Sequence, residues 1–175
     1  MEAYNRKGNR IPGYDYSTEG AYFLTVCTLN RKQILSKLPI GTGLPDCPEN
    51  MKPVLSKYGK IAEKYICKMD TFYDHISVDR YVIMPDHIHF LLTICYPKGQ
   101  SGTLVPTESN RRNSEVSKFI STFKRFCNKE CGLNIWQGRY YDHVIRNQQD
   151  YNEVWEYIEN NPRQWILMCG KDQGE

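Results

Sequence analysis

Long apolar runs are absent from this sequence. No stretch approaches the roughly 18 consecutive apolar residues of a membrane-spanning helix, and the opening MEAYNRKGNRIPG has no apolar segment of the kind found in secretory signal peptides. We therefore expect a cytoplasmic protein with no membrane partner.

Cysteine pairs with C-x-x-C spacing are also absent, and the total of seven cysteines is odd. This pattern disfavours both a disulfide framework and a zinc ribbon. Cys127 and Cys131, spaced C-x3-C, leave two interpretations open, a shared metal site or plain packing in the core. We favour core packing.

Basic residues only slightly outnumber acidic ones, which gives a formal net charge of +3. This total alone does not identify a nucleic-acid partner. The basic residues are clustered, however. We predict a flexible basic arm over 1–16 and a basic stretch over 110–130, both suited to phosphates and stacked bases, although a solvated surface would look the same. The candidate DNA-binding residues in these two segments are Arg6, Arg10, Arg111, Arg112, Lys118, Lys124 and Arg125.

Two stretches rich in loop-forming residues, 41–53 and 96–113, interrupt what we interpret as a single domain over 1–175. Hydrophobic periodicity between them predicts a βαββαβα order. The predicted strands are 20–29, 75–84, 87–95 and 139–145, and the predicted helices are 54–69, 114–130 and 150–161.

The strands over 75–84 and 87–95 are joined only by Pro85 and Asp86, so they must be antiparallel. The longer helical connections allow crossovers on one face of the sheet. The predicted fold is therefore α+β, a ferredoxin-like antiparallel sheet with helices on one face plus a C-terminal helix. In the 114–130 helix an apolar stripe leaves Lys118, Lys124, Arg125 and Lys129 on the opposite, free face.

His87 and His89 form a His-x-His pair in the apolar segment YVIMPDHIHFLLTI. Strand alternation places both imidazoles on one face, on neighbouring rungs, at a spacing that suits one divalent metal. A single histidine on a strand is more often a structural residue, and the pair strengthens the metal interpretation.

The last predicted helix begins at Asp150, has Glu153 in a capping-box position, and is expected to end before Pro162. Helical spacing aligns Tyr157 with Asn161 at the edge of the buried face. Tyr157 could then bring its hydroxyl near the metal while Asn161 offers an amide oxygen as third ligand. An ordinary half-buried tyrosine and a C-terminal asparagine are the alternative.

Other side chains near this helix are candidates as well. His143 is either a phosphate-binding or metal-supporting residue or a hydrogen-bonded sheet histidine, and we interpret His75 as only the latter. Arg146, before the last helix, suits a phosphate clamp, because helix N-termini favour anions. Tyr140, Tyr141 and Tyr151 lie near Tyr157 in sequence and could be confused with it.

Four segments together resemble the single-tyrosine HUH transposases, in particular the branch of REP-associated tyrosine transposases. They are GAYFLTVCTLNR, MPDHIHFLL, NIWQGRYYDHVIRN and YIENNP. The resemblance implies that His87 and His89 bind Mg2+ or Mn2+, that Tyr157 is the nucleophile, and that Asn161 takes the position of a polar third ligand. Zn2+ would also bind such nitrogen ligands tightly in vitro.

The resemblance further implies a transposase-like endonuclease and strand transferase that acts on single-stranded or hairpin DNA through a 5′-phosphotyrosine intermediate. It implies a monomer or homodimer associated with the bacterial nucleoid. Two alternatives stay open: a non-catalytic DNA-binding regulator derived from a transposase, and a metal-dependent hydrolase in which water is the nucleophile.

Overall fold

The computed structural model describes residues 14–38, 52–96 and 114–169. Four of the candidate DNA-binding residues, Arg6, Arg10, Arg111 and Arg112, lie outside the described residues, as does most of the predicted arm. Their roles, and the assignment of 1–175 to a single domain, stay predictions. No helix in the described ranges has the length and apolar character needed to cross a membrane.

Within the described residues, six strands form two sheets. In chain order they are β1 (Gly20–Cys27), β2 (Ser36–Lys37), β3 (Val54–Leu55), β4 (Ile76–Ile83), β5 (His87–Ile94) and β6 (Tyr141–Val144). The main sheet has the order β4-β5-β1-β6 with every neighbouring pair antiparallel, while β2 and β3 pair separately. This is the ferredoxin-like arrangement, so the predicted fold class is confirmed.

The same part of the chain contains three α-helices: α1 (Lys57–Ile66), α2 (Glu115–Cys131) and α3 (Gln148–Cys169). Helices α1 and α2 cover one face of the main sheet, where the ring of Phe90 lies 5.4 Å from that of Phe123. Tyr22 and Leu24 of β1 are fully buried in the same core. Helix α3 lies on the opposite face, so its side chains meet the alternate residues of β4 and β5.

The predicted helix over 54–69 begins later than expected. Val54 and Leu55 instead pair with Lys37 and Ser36 in the small sheet. Ser56 then caps α1, since its hydroxyl accepts hydrogen bonds from the N–H groups of the following turn. The β-branched Val54 and the capping serine together explain why the helix starts where it does.

The predicted bounds of the last helix are wrong at both ends. Asn147 caps α3, because its side-chain oxygen accepts a hydrogen bond from the Asp150 N–H at 2.9 Å. The helix then continues through Pro162 to Cys169. A proline inside a helix removes one backbone hydrogen bond, but Pro162 is buried against the fold and its packing there keeps the helix intact.

The last residues of the segment predicted as a flexible arm, 1–16, are instead packed in the fold. Tyr16 is buried in the core, with its ring 5.0 Å from that of Tyr14 and 6.1 Å from that of Tyr22. Tyr16 is therefore unavailable for stacking on a base. Mutual packing of Tyr14, Tyr16 and Tyr22 holds this part of the segment in place, although its polar composition predicted a flexible arm.

Candidate metal and nucleophile site

The two histidines of β5 are buried together on the face covered by α3, with exposed fractions of 5% for His87 and 4% for His89. Their Nε2 atoms lie 3.0 Å apart. Strand alternation accounts for this placement, because Ile88 between them points into the core beneath α1 and α2.

Hydrogen bonds fix the other nitrogen of each ring. His89 Nδ1 lies 2.9 Å from the Thr25 hydroxyl, on the neighbouring strand, and His87 Nδ1 lies 2.6 Å from Asp86 Oδ1. The second oxygen of Asp86 is 2.9 Å from Arg31 Nε. These contacts orient both rings and leave both Nε2 atoms facing each other, as in metal sites where an outer partner orients each ligating imidazole.

The spacing of the two Nε2 atoms fits a shared divalent cation. Two nitrogens, each about 2.1 Å from a metal and at right angles, would lie about 3.0 Å apart. Within the described ranges no group of three or more His, Cys, Asp or Glu side chains is placed to hold a metal. The Asn161 amide, predicted from sequence as the third ligand, stays a candidate.

Electrostatics keep His89 neutral. Burial lowers the pKa of His89 well below its usual value, and the charges of His87 and Arg31 lower it further. A neutral imidazole is the form that binds a metal, so His89 itself would have no proton to lose to a metal at neutral pH.

Three residues of α3 lie one turn apart along the face toward the histidines. The Tyr157 ring is 5.3 Å from that of His89, and the Trp165 ring is 5.6 Å from that of His87. Asn161 lies between them on the same row and is only 7% exposed, whereas Tyr157 is 40% exposed. Tyr157 thus lies at the rim and Asn161 beneath it.

Polar contacts hold α3 against the edge of the sheet. Arg80 of β4 forms a 2.7 Å ion pair with Glu159 and lies 4.8 Å from the centre of the Trp155 ring. The Tyr151 hydroxyl donates to Asp79, which lies at a β-bulge in β4. The same helix that carries Tyr157 is therefore fixed at two points to the strand beside the histidines.

His143 ties the start of α3 to the far edge of the sheet. Its Nε2 lies 3.0 Å from both carboxylate oxygens of Asp150, which also accepts the Arg146 backbone N–H. Burial alone would raise the pKa of Asp150, but the bonds from His143 and Arg146 outweigh it and lower the pKa. His143 is thus hydrogen-bonded, and with Arg146 it also lines an open hollow of about 370 Å³, so its role in binding a phosphate stays a prediction.

The basic face predicted for α2 is only partly free. Lys124 donates to the backbone carbonyls of Gln137, Gly138 and Arg139, and burial lowers its pKa to about 8. The prediction that Lys124 is free is therefore wrong, because the chain following α2 returns within its reach. Lys118 is exposed and paired with Glu115, and Arg125 is exposed beside the Phe126 ring.

The competing tyrosines lie in other surroundings. Tyr151 is engaged with Asp79, Tyr140 lies within hydrogen-bonding distance of Ser117, and Tyr141 is exposed on the edge strand β6. His75 bonds Glu115 and stacks on Tyr96, as expected for a structural histidine. Cys127 is buried in the core.

Comparison with known proteins gives the family context. No protein-family model matches the chain. An uncharacterized protein of Haemophilus influenzae is 26% identical over 173 residues, which cover 93% of this chain and 91% of that protein. A REP-associated tyrosine transposase of Escherichia coli K12 is 33% identical over 87 residues, or 49% of this chain and 44% of that protein.

A solved structure of a REP-associated tyrosine transposase bound to a REP hairpin has a TM-score of 0.58, at 24% identity, over 94% of this chain and 74% of that one. This likeness shows a shared fold. In sequence, about half of the chain is similar to a REP-associated tyrosine transposase. The match to the curated transposase of Escherichia coli spans less than half of that protein's length, so the activity of the whole relative is not carried over with it.

Sequence reasoning missed the residues that orient the histidines and close the site. Thr25, Asp86 and Arg31 lie in segments that we matched to the family, GAYFLTVCTLNR and MPDHIHFLL, so the motifs contained a signal for them. Trp165 carried no such signal, since the helix was expected to end before Pro162.

Proposed function

We propose that this protein is a metal-dependent single-stranded DNA endonuclease and strand transferase that forms a 5′-phosphotyrosine intermediate. The observation that carries the proposal is the position of the Tyr157 ring, 5.3 Å from that of His89, whose Nε2 lies 3.0 Å from His87 Nε2. A nucleophile at the rim of a site suited to a divalent cation is what phosphodiester transfer requires.

The residues that would hold the metal are His87 and His89, with Asn161 as the third ligand, and Mg2+ or Mn2+ is the expected cation. The chemistry that such a cation supplies when bound is neutralisation of negative charge on a nonbridging oxygen of the scissile phosphate. Thr25 and Asp86 would keep the two imidazoles oriented through their Nδ1 atoms.

Tyr157 performs the covalent step. Its oxygen attacks phosphorus, the bond from phosphorus to the 3′ oxygen breaks, and the electron pair leaves with that oxygen. The proton lost by the phenol is balanced by the proton gained by the new 3′ hydroxyl. Attack by a 3′ hydroxyl on the phosphotyrosine ester reverses these changes and rejoins DNA, so neither step consumes a further reactant.

The substrate we propose is single-stranded DNA beside a hairpin, by analogy with the relative whose structure contains a REP hairpin. Helix α3 packs on the sheet of its own chain, which supports action by a monomer that uses Tyr157 in cis, with a homodimer as the alternative. Exposed Lys118, Arg125 and Arg146 are the described candidates for contacts with phosphates.

Incubation with a single-stranded hairpin oligonucleotide and Mn2+, followed by denaturing electrophoresis, tests this proposal. We expect a protein–DNA species that survives denaturation and a fragment with a free 3′ hydroxyl. Cleavage without any adduct would indicate a hydrolase that uses water. Binding with neither cleavage nor adduct would indicate a non-catalytic regulator.

A further inference from the structure

Two consecutive residues after β1 adopt the left-handed conformation without being glycine. Asn30 has φ of 56° and Arg31 has φ of 55°. Side chains other than glycine adopt this region at an energetic cost, which persists only where the surroundings enforce it, and such strain is concentrated at functional sites. The turn therefore merits a functional explanation.

Hydrogen bonds from both neighbouring segments hold this turn in place. The Thr28 N–H and hydroxyl both donate to the backbone carbonyl of Asp86, and the Leu29 N–H donates to the carbonyl of Ile135. Arg31 N–H in turn donates to the Thr28 carbonyl. The strained residues are thus fixed to the link that precedes His87.

The conformation brings the Arg31 guanidinium beside the histidine pair. Its Nε contacts Asp86, the carboxylate that also binds His87, and one Nη atom lies 2.8 Å from the sulfur of Cys27. Cys27 pairs directly with His87 in the sheet register. The guanidinium therefore lies at the same end of the site as the first histidine.

Most N–H donors of the Arg31 guanidinium have no partner among the described residues. Of its five N–H donors, two are used in the contacts with Asp86 and Cys27, and none of the others is bonded to a described residue. The Arg31 side chain is 48% exposed. A planar fork of donors that is anchored on one side and open on the other is suited to a phosphate.

We propose that Arg31 is a further catalytic residue that contacts the scissile phosphate and stabilises the charge that develops on its nonbridging oxygens. This inference rests on the proposed transferase function and adds to it a residue from outside the set His87, His89, Tyr157 and Asn161. A positioned cation is effective at this step, because negative charge grows on the phosphoryl oxygens as Tyr157 attacks.

A purely structural role is the competing explanation. Arg31 would then serve only to hold Asp86, and through it the ring of His87. The two roles predict different dependence on the charge of the scissile linkage. The effect of losing a phosphate contact depends on that charge, whereas the effect of misorienting His87 does not.

The test compares Arg31→Met with Lys32→Met, which removes the same charge from the exposed neighbouring side chain. Adduct formation is measured at saturating Mn2+, determined separately for each variant, on a hairpin oligonucleotide with either an ordinary phosphate or a neutral methylphosphonate at the cleaved linkage. We expect Arg31→Met to slow the reaction of the phosphate on the order of a hundredfold and that of the methylphosphonate far less. Arg31→Lys should restore part of the rate.

Binding of the oligonucleotide gives a second readout that does not depend on cleavage. In a Tyr157→Phe background with Mn2+, fluorescence anisotropy of the labelled hairpin oligonucleotide should show weaker binding for Arg31→Met. The salt dependence of that binding should fall by about one phosphate contact, and Lys32→Met should leave both quantities unchanged.

Equal slowing on the two linkages would overturn the inference and assign Arg31 to the support of Asp86, with the transferase function intact. Unchanged binding and rate would overturn it as well. If the wild-type protein formed no adduct but the loss of binding and of salt dependence at Arg31 persisted, the proposed function would fail while the phosphate contact at Arg31 stood.

Discussion

The ring of Tyr157 meets the ring of His89 at a distance of 5.3 Å and an angle of 64°. Helix α3 crosses the histidine pair, so that each successive turn faces a different part of the site. Tyr157 reaches His89, and Trp165, two turns later, reaches His87. Position along the helix therefore decides which side chain has access to the two Nε2 atoms.

Removal of the Tyr157 hydroxyl should abolish the covalent adduct. Phenylalanine retains the ring that packs at 5.8 Å against Phe23 but has no nucleophilic oxygen. We expect Tyr157→Phe to reduce adduct formation at least on the order of a thousandfold, measured by denaturing electrophoresis, with binding of the hairpin oligonucleotide preserved.

The matched control for this variant is Tyr141→Phe. Tyr141 is exposed on β6 and was a competing nucleophile on sequence grounds, so its hydroxyl should be dispensable for the adduct. An adduct that persists in Tyr157→Phe and disappears in Tyr141→Phe would reassign the nucleophile.

Loss of the Thr25 hydroxyl should weaken metal binding without removal of a ligand. Thr25→Val preserves shape but leaves His89 Nδ1 without its 2.9 Å partner. A partner that orients a ligating imidazole in this way contributes about tenfold to a hundredfold in metal affinity, and we expect a loss near the lower figure. Isothermal titration with Mn2+ measures it.

Thr71→Val provides the comparison, because the Thr71 hydroxyl bonds only the Lys68 carbonyl in an exposed turn. That variant should bind Mn2+ as the wild type does. Equal affinities for Thr25→Val and the wild type would show that orientation of His89 does not depend on Thr25.

Much of the fold was predictable from local pattern. The short link through Pro85 and Asp86 required an antiparallel pair, and strand alternation correctly separated His87 and His89 from the apolar residues between and after them. These rules depend only on neighbours in the chain, which explains their success.

Contacts between distant segments were not predictable in the same way. Pro162 looked like a helix end because local rules disfavour proline there, yet tertiary packing buries it in the middle of α3. Lys124 looked free because the helix pattern gives no information on where Gln137 to Arg139 return. Tyr16 likewise depends on packing against Tyr22.

Disruption of the contact between Tyr151 and Asp79 should loosen α3. The Tyr151 hydroxyl donates to the carboxylate at 3.1 Å, and one such partly buried bond contributes about 1 kcal/mol. We expect Tyr151→Phe to lower the free energy of unfolding in urea by about that amount and to slow adduct formation through less precise placement of Tyr157.

A double-mutant cycle with Asp79→Ala isolates this contribution. The two variants should be non-additive, since each removes the same hydrogen bond. Additive losses in the free energy of unfolding would mean that the two residues stabilise the protein independently and that Asp79 does not anchor the helix through Tyr151.

The pair formed by His143 and Asp150 should make stability depend on pH in the acid range. The hydrogen bonds from His143 and Arg146 overcome the effect of burial and lower the pKa of Asp150 in the folded protein. A carboxyl whose folded pKa lies below that of the unfolded chain, about 3.9, contributes stability that is fully present above that value. This contribution is lost as the pH falls through the folded pKa.

We therefore expect wild type and Asp150→Asn to differ most in free energy of unfolding near neutral pH and to converge as the pH falls below about 4. Urea denaturation followed by tryptophan fluorescence at a series of pH values measures the difference. Because asparagine retains an oxygen that accepts from the Arg146 N–H, the comparison isolates the charge. A difference that stays constant from about pH 6 to about pH 3 would mean that the Asp150 carboxylate carries no pH-linked stability, and that His143 holds the start of α3 by a neutral hydrogen bond alone.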